Sequence, residues 1–90
     1  MERTLVSISL SPEGLATIKA APELRQAEMR FIHDWKEQGL LEHFFITTDR
    51  TGAFLLFQGV DGDRLRGMIE GLPYFPYMAK VEYVGLDKQF

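Results

Sequence analysis

The segment 41–59, LEHFFITTDRTGAFLLFQG, decides the fold. It reads as two strands, Leu41 to Thr48 and Ala53 to Gly59, joined by Asp49-Arg50-Thr51-Gly52. Asp at the first turn position and Gly at the fourth suit a type I turn, so the pair forms a hairpin. Phe, Leu and Ile occur at alternating and intervening positions of both strands, which makes both sheet faces apolar. A helix layer can cover one face, and a second body must cover the other.

The sequence before the hairpin supplies a helix. From Glu23 to Gln38, at about 100° per residue from Leu24, the residues Ala27, Phe31 and Trp35 fall within about 60° of it, and Ile32 widens the stripe. Gln26, Arg30, His33 and Glu37 lie opposite, and Gly39 supplies the stop. Further back, Val6, Ile8 and Leu10 alternate with Leu5, Ser7 and Ser9 in a strand over Thr4 to Leu10. Ser11-Pro12 then reads as an N-cap and first-turn proline for a short helix over Glu13 to Ala20, and Pro22 redirects the chain. After the hairpin, Asp61-Gly62-Asp63 opens a helix to about Glu70, with Leu65, Met68, Ile69 and Leu72 on one stripe. The chain breaks at Gly71-Leu72-Pro73, and a last strand runs from Met78 to Val84.

This βαββαβ order is α+β, the ferredoxin-like arrangement, with both main helices on one sheet face. The other face is too apolar for water and predicts sheet-to-sheet pairing in a homodimer. Ninety residues allow a single domain spanning 1–90. A chain of this size buries roughly 64% of its unfolded surface, so burial against a second copy is a natural supplement.

Composition narrows the chemistry. There is no cysteine, which excludes a disulfide scaffold, a thiolate metal site and a cysteine nucleophile. Net charge is −3 with scattered Lys and Arg, which argues against nucleic acid or an anionic membrane as partner. Met1-Glu2-Arg3-Thr4 has no signal-peptide character, so the expected setting is cytoplasmic. Seven Phe, three Tyr and one Trp are enough aromatics to line a cavity or an interface as well as a core. No phosphate loop, nucleophile elbow or zinc-protease helix occurs, and two distant histidines make a weak metal set. No metal and no cofactor is expected.

Glu28 breaks its own pattern. It sits about 40° from Leu24, between Trp35 and Ile32, inside the apolar stripe. Either its stem packs while its head reaches water, or the carboxylate is held in a half-dry cavity between helix and sheet. In the second case desolvation raises its pKa and makes it a usable general acid or base. His43, on the second strand with Leu41 and Phe45, is either a structural histidine or a group facing Glu28 across that cavity. Phe31, Trp35, Phe45 and Tyr77 are candidate cavity walls. His33 lies on the polar helix side.

The most distinctive segment is Leu72-Pro73-Tyr74-Phe75-Pro76-Tyr77-Met78, an aromatic corner stiffened by two prolines directly before a strand. It resembles the L-P-x-F-P-Y-M segment of muconolactone delta-isomerases. The similarity runs from about Leu24 to Leu86 and takes in Gly39, His43, the hairpin and the Gly85-Leu86 ending. The resemblance implies a dimeric α/β barrel, with further assembly in the enzymes. It also implies cofactor-free proton transfer within a small unsaturated lactone, with Glu28 matching a proposed acid/base glutamate. Three features depart from the pattern. The Ser11-Pro12-Glu13-Gly14 and Ala20-Ala21-Pro22 segments do not follow it, and Met29 stands where a polar partner would serve better. No cation for a lactone carboxylate is evident, Arg50 and Lys80 being the candidates. Two other readings stay open: a non-catalytic barrel binding a hydrophobic small molecule, and a cofactor-free oxygenase or polyketide-tailoring relative.

Overall fold

The computed structural model describes residues 2–90; Met1, part of the N-terminal run considered above, lies outside them. The elements are β1 (Arg3–Leu10), α1 (Pro12–Lys19), α2 (Pro22–Glu37), β2 (Leu41–Ile46), β3 (Gly52–Gln58), α3 (Gly62–Glu70), a 3₁₀ turn (Phe75–Tyr77) and β4 (Met78–Leu86). The four strands form one antiparallel sheet in the order β2-β3-β1-β4. This is the ferredoxin-like α+β fold expected from the hairpin and its flanks, with α1 as an extra helix before α2.

Each boundary has a local cause. The Ser11 hydroxyl accepts from the Gly14 N–H at 2.9 Å, capping α1, and Asp61 caps α3 through the Arg64 N–H at 2.9 Å. Helix α2 has no side-chain cap and starts instead with Pro22 in its first turn. It ends at Gly39, whose φ of +78° is one that a side chain resists.

Register separates the two sheet faces. Val6, Leu55, Phe57 and Leu41 are buried on the helix face, with Ile32 and Trp35 of α2 and Leu65 and Ile69 of α3 above them. The other face carries Phe45, Phe54, Val84 and Leu86, all exposed. It is trimmed by a forked ion pair in which Arg3 donates through Nε and Nη2 to the two Glu42 oxygens, at 2.9 and 3.1 Å.

The aromatic corner is pinned to the helix layer. The Ser11 N–H donates to the Tyr77 carbonyl at 3.1 Å. A methyl group at Gly14 would meet Tyr77 Cβ and its carbonyl oxygen at 2.7 Å, so α1 can lie on the corner only because residue 14 has no side chain. This contact closes one end of the space between α1, α2 and the sheet.

Candidate functional site

That space is a cavity of about 560 Å³. Its floor is sheet, including Ile8, Phe44 and Leu55, and its roof is α1 and α2 through Ile18, Met29 and Ile32. Tyr74 and Met78 of the aromatic corner form an end wall. Its size is within the usual range for small-molecule sites, and its surface is mainly apolar.

Glu28 projects into this cavity and is 7% exposed. The helix is turned relative to the expectation drawn from hydrophobicity. Glu28, Ile32 and Trp35 are its buried residues, whereas Phe31 is 42% exposed. On a wheel of 100° per residue the buried face is therefore centred about 45° from Leu24, close to the direction of Glu28 itself. The carboxyl lies at the middle of the buried face, and the flank reading of Glu28 does not hold.

One polar contact secures it. The Tyr74 backbone N–H donates to Glu28 Oε1 at 2.9 Å. Among the described residues no fully buried side-chain polar atom lacks a partner, so Oε2 keeps access to the cavity space. Desolvation raises the Glu28 pKa from 4.5 to about 7, opposed in part by the Tyr74 N–H, which favours the charged form. The group is poised to accept and to give up a proton near neutrality.

The other expected site residues lie elsewhere. His43 is exposed on the open sheet face, its ring stacked on Phe45 at 6.1 Å. Simple alternation puts Leu41, His43 and Phe45 on one side. A register shift between Leu41 and His43 breaks the alternation, so Leu41 enters the core while His43 and Phe45 turn outward. Phe31 lies at the surface, edge-on to Trp35 at 6.2 Å, and Trp35 is buried edge-on against Phe57 at 5.6 Å in the core. Tyr77 packs beside Gly14 on the α1 side of the corner. Of the six residues, Glu28 alone lines the cavity. Arg50 is also at its edge, whereas Lys80 is exposed and 3.6 Å from Glu82.

Sequence reasoning missed Arg25, Met29, Phe44 and Tyr74 as lining residues. Arg25 had a usable signal, because it precedes Glu28 by three positions and shares its helix face. Phe44 was hidden by the bulge, and Tyr74 occupies the unspecified position of the proline-aromatic segment. Among the described residues, no three His, Asp or Glu side chains are grouped to hold a metal ion.

The sequence profile of muconolactone delta-isomerase matches residues 5–86. The chain belongs to this family. No curated protein sequence matches it. Among solved structures it is similar to 5-chloro-2-hydroxyhydroquinone dehydrochlorinase from Burkholderia phenoliruptrix AC1100, solved in complex with 2,5-dihydroxybenzoquinone. That match has a TM-score of 0.78 at 16% identity and covers 94% of this chain and 93% of the other. A protein assigned by name to the antibiotic biosynthesis monooxygenases, from Nitrosomonas europaea, matches with a TM-score of 0.55 at 15% identity over 100% of both chains. At these identities the two structures share the fold. Family membership and fold together support a small-molecule-processing α/β protein.

The raised pKa makes stability depend on pH with a definite sign. The folded state holds the Glu28 proton more tightly than an unfolded chain does. Its contribution is therefore complete below about pH 4.5 and is lost as pH rises through about 7. The separation is worth on the order of 3 kcal/mol. Glu28→Gln keeps an oxygen for the Tyr74 N–H but cannot ionise. Denaturant unfolding should show the variant gaining stability over the parent between pH 5 and pH 9, by up to about that amount. A constant difference across this range would mean that Glu28 titrates as an ordinary surface carboxyl.

Proposed function

We propose that this protein catalyses cofactor-free proton transfer within a small unsaturated ring compound, a lactone or a related carbonyl compound, with Glu28 as the acid/base group. The observation that carries this reading is a single carboxyl with a pKa of about 7 in an apolar cavity of about 560 Å³. A carboxylate at Oε2 removes a proton from a carbon activated by the ring carbonyl. The electron pair spreads into the conjugated system, and the same group returns the proton at a different carbon. One residue serves both half-steps because its pKa lies near neutrality, where neither form is strongly disfavoured. The mainly apolar walls lower the number of polar groups that compete for the proton on Glu28 between the two steps. The matched family is named for an isomerase that acts on a lactone.

Turnover of muconolactone in deuterated buffer tests the proposal. The parent should convert it, with kcat/KM rising through about pH 7 as the carboxylate forms. Glu28→Gln should lose at least about 100-fold, the usual scale for a general base. Full turnover by Glu28→Gln would remove Glu28 from the chemistry. An inactive parent would restrict the reading to another ring substrate or to ligand binding alone.

The reading includes a homodimer, closed through the open sheet face, in a cytoplasmic setting. The support is the row of exposed Phe45, Phe54, Val84 and Leu86 on one side of the sheet. Among the described residues no helix is long and apolar enough to cross a membrane. Sedimentation should give twice the chain mass for the parent, and Phe45→Asp should shift it toward monomer. A monomeric parent at micromolar concentration would contradict the pairing.

A further inference from the structure

Proton abstraction from a carbon next to a carbonyl leaves negative charge on the carbonyl oxygen, and that charge needs a donor in a dry site. Glu28 cannot supply it, since its Oε1 is held by a backbone N–H and Oε2 takes the proton in the reading above. Four other side chains lining the cavity carry strong donors: Lys19, Arg25, Arg50 and Tyr74. The three cations are exposed at its rim, while Tyr74 is half-buried.

We infer that the Tyr74 hydroxyl, backed by Arg25, is the hydrogen-bond donor that holds the anionic oxygen developing on a ring ligand while Glu28 carries the proton. Three observations converge on it. Tyr74 and Glu28 line the same cavity, and the backbone bond at 2.9 Å fixes the root of the tyrosine relative to the carboxyl. Arg25 lies three residues before Glu28 on α2, so a cation and a carboxyl of the roof line the same cavity as the phenol of the end wall. The phenol also senses both neighbours: burial and the Glu28 charge raise its pKa, and the Arg25 charge opposes them. It therefore stays protonated at neutral pH as a donor.

The inference rests on the Glu28 reading for its place in the reaction, but the binding it predicts does not. In the step, the C–H electron pair moves into the conjugated carbonyl as the proton passes to Glu28. The Tyr74 O–H donates a hydrogen bond to the resulting enolate oxygen without giving up its proton. Return of the proton from Glu28 restores the carbonyl, so no oxidant, reductant or co-reactant is consumed.

Tyr74→Phe is a clean probe, because it leaves the backbone N–H to Glu28 in place and deletes only the hydroxyl. Ligand binding is best measured in the Glu28→Gln background, where position 28 stays uncharged. The probes are 4-nitrophenolate as a mimic of an enolate oxygen, benzoate as a ring carboxylate, and 4-nitroanisole as a neutral control. Visible absorbance reports the nitrophenolate, and calorimetry reports the others. Adding Tyr74→Phe should weaken 4-nitrophenolate binding about tenfold, as expected for a hydrogen bond to a charged acceptor, and leave 4-nitroanisole within about twofold. Adding Arg25→Gln should weaken it also and reduce its salt dependence. In the catalytic background, Tyr74→Phe should lower kcat more than it raises KM.

Equal 4-nitrophenolate affinity with and without the hydroxyl would overturn the inference, as would failure of 4-nitrophenolate to bind at millimolar concentration. Loss of benzoate alone would also overturn it, by assigning the pair to a ring carboxylate instead. Loss of 4-nitrophenolate affinity in Tyr74→Phe, in a protein that turns over no lactone, would support the subsite while the proposed reaction fails. Loss of turnover in Glu28→Gln with normal phenolate binding in Tyr74→Phe would do the reverse.

Discussion

A buried carboxyl held by one backbone N–H is the contact on which the rest of the site depends. Glu28 faces the space between helix and sheet, where an ionised group without partners would be costly. The Tyr74 N–H offsets part of that cost, and protonation relieves much of the remainder. The same bond ties the middle of α2 to the proline-aromatic corner, 46 residues later in the chain. The corner in turn supports α1 through the Ser11–Tyr77 backbone bond and the side-chain-free surface of Gly14. The cavity is thus bounded by a chain of contacts that passes through Glu28.

The apolar lining and the poised carboxyl are two consequences of one arrangement. A polar or wet cavity would leave the Glu28 pKa near its ordinary value, and a filled one would leave no place for a ligand. The walls supply desolvation, the backbone bond limits it, and the balance lies near neutrality. Family membership is consistent with a cavity that takes a small molecule.

Most of the fold was legible in the sequence because it follows from period and punctuation. The hairpin at 41–59, the stop at Gly39, the caps at Ser11 and Asp61 and the stripe of α3 follow local chemistry. The hairpin's tight turn, however, is 47–50 and not 49–52, closed by the Arg50 N–H on the Thr47 carbonyl at 2.9 Å with Arg50 at a φ of +66°. The cavity was legible in one residue, Glu28, because a carboxylate in an apolar stripe is a visible contradiction. Phe31, Trp35, His43 and Phe45 lie away from the cavity because of two features that pattern does not encode. Helix α2 packs with its buried face about 45° from the direction its large side chains suggest. That turn exposes Phe31 and directs Trp35 at Phe57 in place of the cavity. A bulge after Leu41 reverses the facing of β2, which sends His43 and Phe45 to the open side and brings Phe44 in. Tyr74 was overlooked because it occupies the unspecified position of the proline-aromatic segment and its bond to Glu28 is made by its backbone.

The central claim is that Glu28 is a proton-transfer group by virtue of where the fold places it. Carbon-13 NMR of a glutamate-labelled sample, with the Glu28 carboxyl assigned by its absence in Glu28→Gln, measures that property directly. The account predicts a midpoint near pH 7 for this carboxyl, well separated from the other glutamates. A midpoint near 4.5 would show the carboxyl to be solvated and would contradict the account.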